Sequence, residues 1–326
     1  MFHNKKIFCT LGPSSLNPLF LKNIKKKVSL LRLNLSHIET KNITNIIKYI
    51  RRFTPTPICI DTEGAQIRTK VRKKIFLKKN QKNYLGKNCN FNLYPPDIIQ
   101  KINTKDILDV GFDGLKIKIL HKNGSKRKFQ VINSGTLETN KGVHIINRKI
   151  NLDFLTEKDK LVIDIAKKMK INNYALSFTN TAEDIKKFNI ILPRKSTKIF
   201  KIETKEAITN IKKFAKIANN FLIDRGDLSK DIGIMNIPFA QKYIINQLKV
   251  NKKNKIFIAT NYLETMINNS LPTRAEINDI YSSINSGADG IVLAAETAIG
   301  KYPLECVNLL DKFLKHIKKR DKKWLK

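Results

Sequence analysis

Short apolar runs alternate with amphipathic segments along most of the chain. The runs centre near residues 7, 31, 59, 175, 200, 222, 257 and 292, and segments with helical spacing separate them. This alternation predicts successive βα units. Since eight such units can close on themselves, we expect an α/β protein with a (β/α)8 TIM barrel. The helices expected in the barrel span 17–27, 41–52, 156–169, 181–188, 205–218, 238–248 and 303–317, and another begins near Thr273.

The pattern changes between residues 69 and 141. Helical periodicity fades there, and short strand-like runs are divided by turns such as Lys122-Asn123-Gly124. We therefore predict a small β-rich lid domain inserted into the barrel, which a loop with neighbouring ends tolerates. The predicted divisions are 1–68 for the first part of the barrel, 69–141 for the insertion, 142–317 for the second part, and 318–326 for a frayed basic tail.

Polar side chains gather at the ends of the predicted strands. From Leu31 on, leucines alternate with Arg32, Asn34 and Ser36, so the polar residues share one face. Arginine suits a phosphate or carboxylate, and the other two supply oxygen ligands. Asp61 and Thr62 offer oxygens at the end of the next strand. The alternative is a solvated edge strand, which the pattern alone does not exclude.

A lysine and two carboxylates lie at the ends of two later strands. Lys201 and Glu203 are two residues apart on one strand and share a face, and Asp227 follows the next strand. Mg²⁺ commonly takes one or two protein carboxylates and leaves its other positions to water and substrate. A metal beside an ammonium suits a reaction that builds negative charge on oxygen. A plain ion pair between Lys201 and Glu203 is the alternative.

The composition is strongly basic. The chain of 326 residues carries 63 Lys and Arg against 27 Asp and Glu, a net charge of +36. That balance raises nucleic-acid binding as a hypothesis. Because the lysines do not form one aromatic-studded stripe, we favour a compositional bias spread over the surface. The sequence contains no long apolar span and no signal-like segment, and its cysteines show no metal-ligand spacing, so we expect a cytoplasmic protein with reduced thiols.

The motifs together resemble those of pyruvate kinase. The matching stretches are CTLGPSS (9–15), LRLNLSH (31–37), IDTEGAQIR (60–68), NKGV (140–143), LTEKD (155–159), KIE (201–203), RGDL (225–228), IPFAQK (237–242), ATNYLETM (259–266), PTRAE (272–276) and AETAIGKYPLE (295–305). They recur in the family's order and cover the barrel from end to end. The resemblance implies a glycolytic transferase, a kinase that moves the phosphoryl group of phosphoenolpyruvate to ADP and gives pyruvate and ATP.

The resemblance also implies roles for individual residues. The catalytic residues are Lys201, Thr260 and Arg32, and the substrate contacts are Arg32, Gly226, Asp227 and Thr260. The Mg²⁺ ligands are Glu203 and Asp227, the K⁺ ligands are Asn34, Ser36, Asp61 and Thr62, and the ADP or ATP nucleotide contacts are Asn34, His37, Arg68 and Lys141. In these roles Lys201 stabilises the transferring phosphoryl group and the enolate, and Thr260 lies near the proton relay.

The chain departs from the family pattern at several positions. Potassium-dependent members carry Glu where this chain has Gln66, and potassium-independent members carry Lys, so the K⁺ requirement stays open. Other departures are Glu63 for Lys, Ala65 for Pro, Val110 for Asp, Asp224 for Ala, and Ser229 for Gly. The family also continues into a C-terminal α/β domain, whereas this chain stops after the last barrel helix. We expect control through that domain to be absent.

Three other functions are weighed against the kinase. The first is a decayed barrel retained as a binding or structural protein, which the retained Arg32 and Lys201 disfavour. The second is a basic nucleic-acid-binding protein, whose binding would weaken steeply with salt. The third is a different barrel enzyme acting on phosphoenolpyruvate or pyruvate. A homo-oligomer formed through the barrel helices is left open, and no membrane partner is expected.

Overall fold

The computed structural model describes residues 5–111, 114–148 and 150–324, without the side chains of 320–324. It contains two compact units. The first comprises residues up to Gly64 and residues from Glu157 on, and the second comprises Ala65–Thr156. The strands are β1 (Lys6–Thr10), β2 (Leu30–Asn34), β3 (Ile58–Asp61), β4 (Ile67–Val71), β5 (Ile75–Leu77), β6 (Lys82–Gly86), β7 (Phe91–Tyr94), β8 (Ile107–Val110), β9 (Leu115–Asn123), β10 (Lys126–Asn133), β11 (Gly135–Leu137), β12 (Gly142–Ile145), β13 (Asn173–Leu176), β14 (Thr197–Ile202), β15 (Asn220–Asp224), β16 (Lys255–Ala259) and β17 (Gly290–Leu293).

The first unit is a parallel β-barrel. Within the described residues, eight strands close in the order β1-β17-β16-β15-β14-β13-β3-β2. Every neighbouring pair is parallel, as in Phe200 opposite Phe221 and Phe221 opposite Ile256. All eight lie where the apolar runs predicted strands, so the predicted (β/α)8 fold is confirmed. Their near-continuous apolar sequence reflects burial on both faces, because helices cover the outside.

The barrel interior is filled by side chains from every strand. One cluster comprises Phe8, Leu30, Cys59, Ala175, Ile199, Leu222, Phe257, Ala259 and Val292, all at most 5% exposed. Phe8 and Phe257 stack with ring centroids 4.2 Å apart. Such layers make the barrel a packed core and not a channel. Inward-facing residues nearer the carboxyl end of each strand therefore lie on the carboxyl-terminal side of this core.

The helices largely follow the predicted pattern. They are α1 (Pro18–Asn23), α2 (Ile43–Phe53), α3 (Ile98–Lys101), α4 (Glu157–Lys168), α5 (Ala182–Ile191), α6 (Lys205–Thr209), α7 (Ile211–Ile217), α8 (Arg225–Ile232), α9 (Ile237–Lys249), α10 (Arg274–Asn285), α11 (Ala295–Ala298) and α12 (Pro303–Trp324). Capping boxes at Thr181 and Thr273 fix the starts of α5 and α10, since each threonine and the acid three residues later satisfy exposed backbone N–H groups.

Several predicted boundaries were wrong. The helix predicted over 205–218 is divided at Asn210 into α6 and α7. The alternation from Leu31 does not continue to Ser36, because β2 ends at Asn34 and Leu35–His37 forms a 3₁₀ turn. The tail predicted as frayed from 318 continues α12 to Trp324, since nothing in that basic stretch breaks a helix. Residues 325–326 lie outside the described residues.

The second unit is built almost entirely from strands. Among its described residues, seven strands close in the order β10-β6-β7-β4-β12-β8-β9, and β11 pairs with β5. A core of its own includes Leu85, Phe91, Phe129 and Val131, all buried. The β-rich character predicted for the insertion is therefore observed. The unit is wider than the predicted 69–141, because β4 begins at Ile67 and pairs with both β7 and β12.

Candidate active site

Lys201 lies at the centre of a buried polar cluster in the first unit. It stands near the end of β14, is 4% exposed, and its Nζ lies 2.7 Å from Glu203 Oε1. The same nitrogen lies 3.4 Å from Asp224 Oδ2 and 3.7 Å from Asp61 Oδ1. It also donates to Ser177 Oγ at 3.1 Å. The predicted pair thus forms an ion pair, but within a larger cluster from several strand ends.

The surrounding carboxylates keep Lys201 charged. Burial alone would lower the pKa of Lys201, but the three acids around it raise the pKa well above the ordinary lysine value. Opposite charges favour the ammonium form because water does not screen them here. Lys201 therefore presents a fixed positive charge inside the barrel end. It suits the stabilisation of developing negative charge and not proton abstraction.

Arg32 supplies a second buried cation. It is 5% exposed on β2, and its Nε lies 2.9 Å from Asp61 Oδ2. Its Nη1 is buried without a hydrogen-bond partner among the residues that the structure describes. Guanidinium groups bind phosphate and carboxylate through paired N–H donors. The edge-strand alternative is excluded, and a buried donor of this kind is the feature expected of an anion contact.

Three carboxylates of the described residues offer ligand atoms within 4.8 Å of one another: Glu203, Asp224 and Asp227. Burial raises the pKa of Glu203 to about 8, with Asp227 and Asp224 adding to the rise and Lys201 opposing it. A bound divalent cation would oppose this rise in the pKa of Glu203, as the Lys201 ammonium already does. Hard oxygen donors with excess negative charge fit Mg²⁺. Asp224 is an acid that the sequence analysis did not assign to this set.

Backbone groups orient Glu203 and the chain beside it. The N–H of Phe178 donates to Glu203 Oε2 at 2.6 Å. Phe178 has a φ of 51°, which an L-residue adopts rarely, so its amide is turned toward the carboxylate at some cost. Backbone strain of this kind clusters at functional sites when the surrounding structure enforces it. The orientation of Glu203 is thus fixed by both Lys201 and the strand β13 that precedes Phe178.

Thr260 follows β16 and faces Asp224 and Gly226. Its hydroxyl donates to Asp224 Oδ1 at 2.6 Å. Thr260 has a φ of 83°, an outlier for a β-branched residue. A Cβ on Gly226 would lie 3.0 Å from Thr260 Cγ2, so only glycine permits this approach without a shift. Gly226 and Asp227 lie in the first turn of α8, where backbone N–H groups lack intrahelical acceptors.

The oxygen groups assigned to K⁺ lie at the ends of β2 and β3. Asn34 accepts from the N–H of Ser36 at 3.0 Å, which shapes the 3₁₀ turn. Asp61 is fully buried, and the adjacent Thr62 hydroxyl accepts from the N–H of Ser177 at 3.0 Å. Asn34 and Asp61 lie opposite each other at the ends of the paired strands β2 and β3, and Ser36 and Thr62 lie just beyond those ends. His37 ends the turn with an exposed side chain.

The loop after β3 is held by residues from α4. Asp159 is fully buried and accepts from the N–H groups of Glu63 and Gly64 at 2.7 and 3.1 Å. Lys158 contacts Glu63 Oε1 at 2.9 Å and the carbonyl oxygen of Leu35. Lys158 and Asp159, both in the LTEKD motif, therefore hold the loops that carry Thr62 and Ser36. Glu63, a departure from the family pattern, takes part through its ion pair with Lys158.

The other two residues predicted to contact the nucleotide belong to the second unit. Arg68 lies on β4 opposite Gly142, the residue that follows Lys141. Lys141 Nζ lies 3.1 Å from Glu138 Oε2. Strand pairing thus places Arg68 and Lys141 side by side on the small barrel. The predicted nucleotide set is divided between the units, with Asn34 and His37 in the first and Arg68 and Lys141 in the second.

Sequence reasoning missed several residues that build the site. Ser177 could have been found, because it directly follows β13 as Thr62 directly follows β3, and strand ends were the signal used elsewhere. Arg225 gave no signal, although it is bonded to the Thr260 carbonyl oxygen and to Asp279. Glu296 is 1% exposed and accepts from the N–H groups of Tyr262 and Leu263, a role that a charged residue in a short helix does not reveal.

The chain is similar to known proteins along most of its length. Residues 2–307 match the family model for the barrel domain of pyruvate kinase. Pyruvate kinase of Thermotoga maritima is 30% identical over 97% of this chain and 71% of its own length. The enzyme of Methanocaldococcus jannaschii is 33% identical over 97% of this chain and 70% of its own. That of Geobacillus stearothermophilus is 31% identical over 95% and 56%.

A match of one family model to nearly all of the chain is decisive for its ancestry. The matched residues include both the strands of the parallel barrel and the inserted small barrel. Among the described residues, no helix combines the length and apolar character that a membrane crossing requires. On the strength of this match, the chain belongs to the pyruvate kinase family.

Proposed function

We propose that the protein transfers the phosphoryl group of phosphoenolpyruvate to ADP, giving pyruvate and ATP. The observation that supports it most is the pair of buried cations, Lys201 and Arg32, with Lys201 paired to Glu203 and Glu203 close to Asp227. Phosphoryl transfer needs little covalent chemistry from a protein and depends on positioning and charge. A site with two fixed cations and a cation-binding acid cluster offers both.

Different residues would bind different parts of the substrate. The free Nη1 donor of Arg32 is suited to the phosphate, and the N–H groups near Gly226 are suited to the carboxylate. Glu203 and Asp227 would hold Mg²⁺, which neutralises charge on the substrate oxygens when bound. Lys201 would then stabilise both the phosphoryl group in transit and the enolate oxygen that it leaves.

The proposed reaction has two steps. In the first, the bond from phosphorus to the enol oxygen breaks, and a terminal oxygen of ADP forms the new bond to phosphorus. In the second, the enolate carbon takes a proton, and pyruvate results. Thr260 is placed by its strained backbone beside Gly226, where it can act near that carbon. His37, Arg68, Lys141 and Asn34 are proposed for the nucleotide.

We also propose that K⁺ assists the reaction, held by oxygens of Asn34, Ser36, Asp61 and Thr62. The direct pairing of Asn34 with Asp61 across two strands supports this set. Gln66 is the family position that distinguishes potassium-dependent from potassium-independent members, and it is neutral here. A cytoplasmic location is proposed, and the four free cysteines support a reducing compartment.

The test is pyruvate formation from phosphoenolpyruvate and ADP with Mg²⁺, measured in K⁺ and again in Na⁺. We expect turnover that requires Mg²⁺ and is faster in K⁺, and we expect Gln66→Lys to bring the two rates together. Folded protein that gives no pyruvate in either salt would contradict the function and favour a decayed barrel. A nucleic-acid-binding protein would instead show salt-sensitive binding that survives Lys201→Ala.

A further inference from the structure

Asp224 stands among the proposed catalytic groups without a role assigned so far. It is 7% exposed at the end of β15, where the family resemblance places alanine. Its Oδ1 lies 2.6 Å from Thr260 Oγ1, and its Oδ2 lies 3.4 Å from Lys201 Nζ. A carboxylate buried here costs free energy unless it is paired. Its two oxygens face two different proposed catalytic residues.

Thr260 Oγ1 is the donor and Asp224 Oδ1 the acceptor in this hydrogen bond. Burial would raise the pKa of Asp224, but Lys201, Arg32 and the Thr260 hydroxyl lower it below the ordinary value. Glu203, Asp227 and Asp61 are further acids in the same cluster. Asp224 is therefore an acceptor only, and Thr260 must donate. The single hydroxyl proton of Thr260 is therefore used in the bond to Asp224, and the lone pairs of Oγ1 remain to accept a hydrogen bond.

The rest of Thr260 is already fixed. Arg225 donates to its carbonyl oxygen, and Cγ2 packs near Gly226. The torsion of the side chain and the direction of the O–H bond are the two freedoms that these contacts leave. The hydrogen bond to Asp224 removes both. Without Asp224, the hydroxyl proton could turn toward the substrate. Rotation about the Cα–Cβ bond could also place Cγ2 where Oγ1 now lies.

We propose that Asp224 is a positioning residue for the proton-transfer half of the reaction, because it holds the Thr260 hydroxyl as a hydrogen-bond acceptor toward the reacting carbon. A water bonded to Oγ1 gives its proton to the enolate carbon. The electron pair of the enolate C=C bond forms the new C–H bond, a lone pair of the enolate oxygen forms the C=O bond of pyruvate, and solvent neutralises the hydroxide left behind. This inference rests on the proposed function and adds a residue to it.

A double-mutant cycle separates this role from a structural one. The variants are Asp224→Ala, Thr260→Val and both together, with Thr260→Ser as the control that keeps the hydroxyl. Valine matches the shape and the backbone preference of threonine. The measurement is exchange of the pyruvate methyl protons with deuterated water in the presence of Mg²⁺, followed by NMR. Phosphoryl transfer, the KM for phosphoenolpyruvate and the Mg²⁺ concentration for half-maximal rate are measured beside it.

We expect Asp224→Ala to slow proton exchange about tenfold with Thr260 present and less than about twofold in the Thr260→Val background. The coupling should persist in the Thr260→Ser background. The KM for phosphoenolpyruvate and the Mg²⁺ half-saturation should stay within about twofold, because Asp224 acts through the hydroxyl. Circular dichroism establishes that each variant is folded. Asp224→Ser, which keeps a small polar group, takes the place of Asp224→Ala if the alanine variant unfolds.

Two results of the cycle would overturn the proposal. Equal slowing in both backgrounds would mean that Asp224 acts through the charge of Lys201. A raised Mg²⁺ half-saturation in both backgrounds would make Asp224 a third ligand. If the unmodified protein transfers phosphoryl groups but the cycle is additive, only this inference fails. If it neither transfers nor exchanges, the proposed function fails, and the inference fails with it.

Discussion

Arg225 holds the backbone of Thr260 in its left-handed conformation. Its Nε and Nη2 donate to the Thr260 carbonyl oxygen at 3.1 and 2.5 Å, and Nη1 donates to both carboxylate oxygens of Asp279. The guanidinium also lies over the ring of Tyr262, 4.1 Å from its centroid. The strained backbone conformation of Thr260 is therefore maintained by residues outside the buried cluster around Lys201.

Replacement of Arg225 by lysine should slow catalysis without removing a charge. Lysine lacks the planar fork that joins Thr260 to Asp279, so Thr260 can relax. We expect kcat to fall on the order of 10²-fold through misplacement of its side chain. Steady-state kinetics measure this, with Arg194→Lys at an exposed site as the control. An unchanged kcat in Arg225→Lys would show that the backbone of Thr260 needs no such support.

Asp159 should matter for stability more than any exposed acid on the same helix. Its carboxylate accepts from two buried backbone N–H groups, of Glu63 and Gly64. Asp159→Ala leaves both donors unsatisfied, so we expect the free energy of unfolding to fall by about 3 kcal/mol in urea denaturation. Asp164→Ala, on the solvent side of α4, should cost less than about 0.5 kcal/mol. Equal losses in the two variants would argue against the clamp.

The cysteines should differ sharply in reactivity. Cys9, Cys59 and Cys306 are buried, and burial raises the pKa of each, to about 12 for Cys306. Because the thiolate is the reactive form, these three should resist Ellman's reagent at pH 8 until the protein unfolds. The partly exposed Cys89 should react first. If a thiol of the folded Cys89→Ser variant still reacts at the fast rate, at least one of the other three cysteines is accessible, which would contradict their burial.

The barrel could be predicted from sequence because burial on both faces makes each strand a short apolar run. Its polar strand ends then stood out, and Arg32, Lys201 and Glu203 meet as that rule predicts. The elements that the sequence did not reveal depend on tertiary contacts. The start of α8 at Arg225 is an example, because the RGD stretch carries no capping signal and Asp224 makes no side-chain cap.

Other parts of the site could not be predicted because their signal lies in another segment of the chain. Asp159 lies in the first turn of α4, and nothing in the neighbouring sequence indicates that its carboxylate accepts from the loop after β3. In the sequence Asp224 is only a departure from the family pattern, because its partners Thr260 and Lys201 lie on or after two other strands. Side chains that meet across strands leave no spacing in the sequence.

The most direct test of the account compares two lysine variants in phosphoryl transfer. Lys201→Met removes the buried ammonium, and Lys195→Met removes an exposed one just before the same strand. Formation of ATP from phosphoenolpyruvate and ADP is followed by ³¹P NMR, with circular dichroism as the check of folding. The account predicts a loss on the order of 10³-fold in Lys201→Met and an unchanged rate in Lys195→Met. Near-normal turnover in folded Lys201→Met would contradict it.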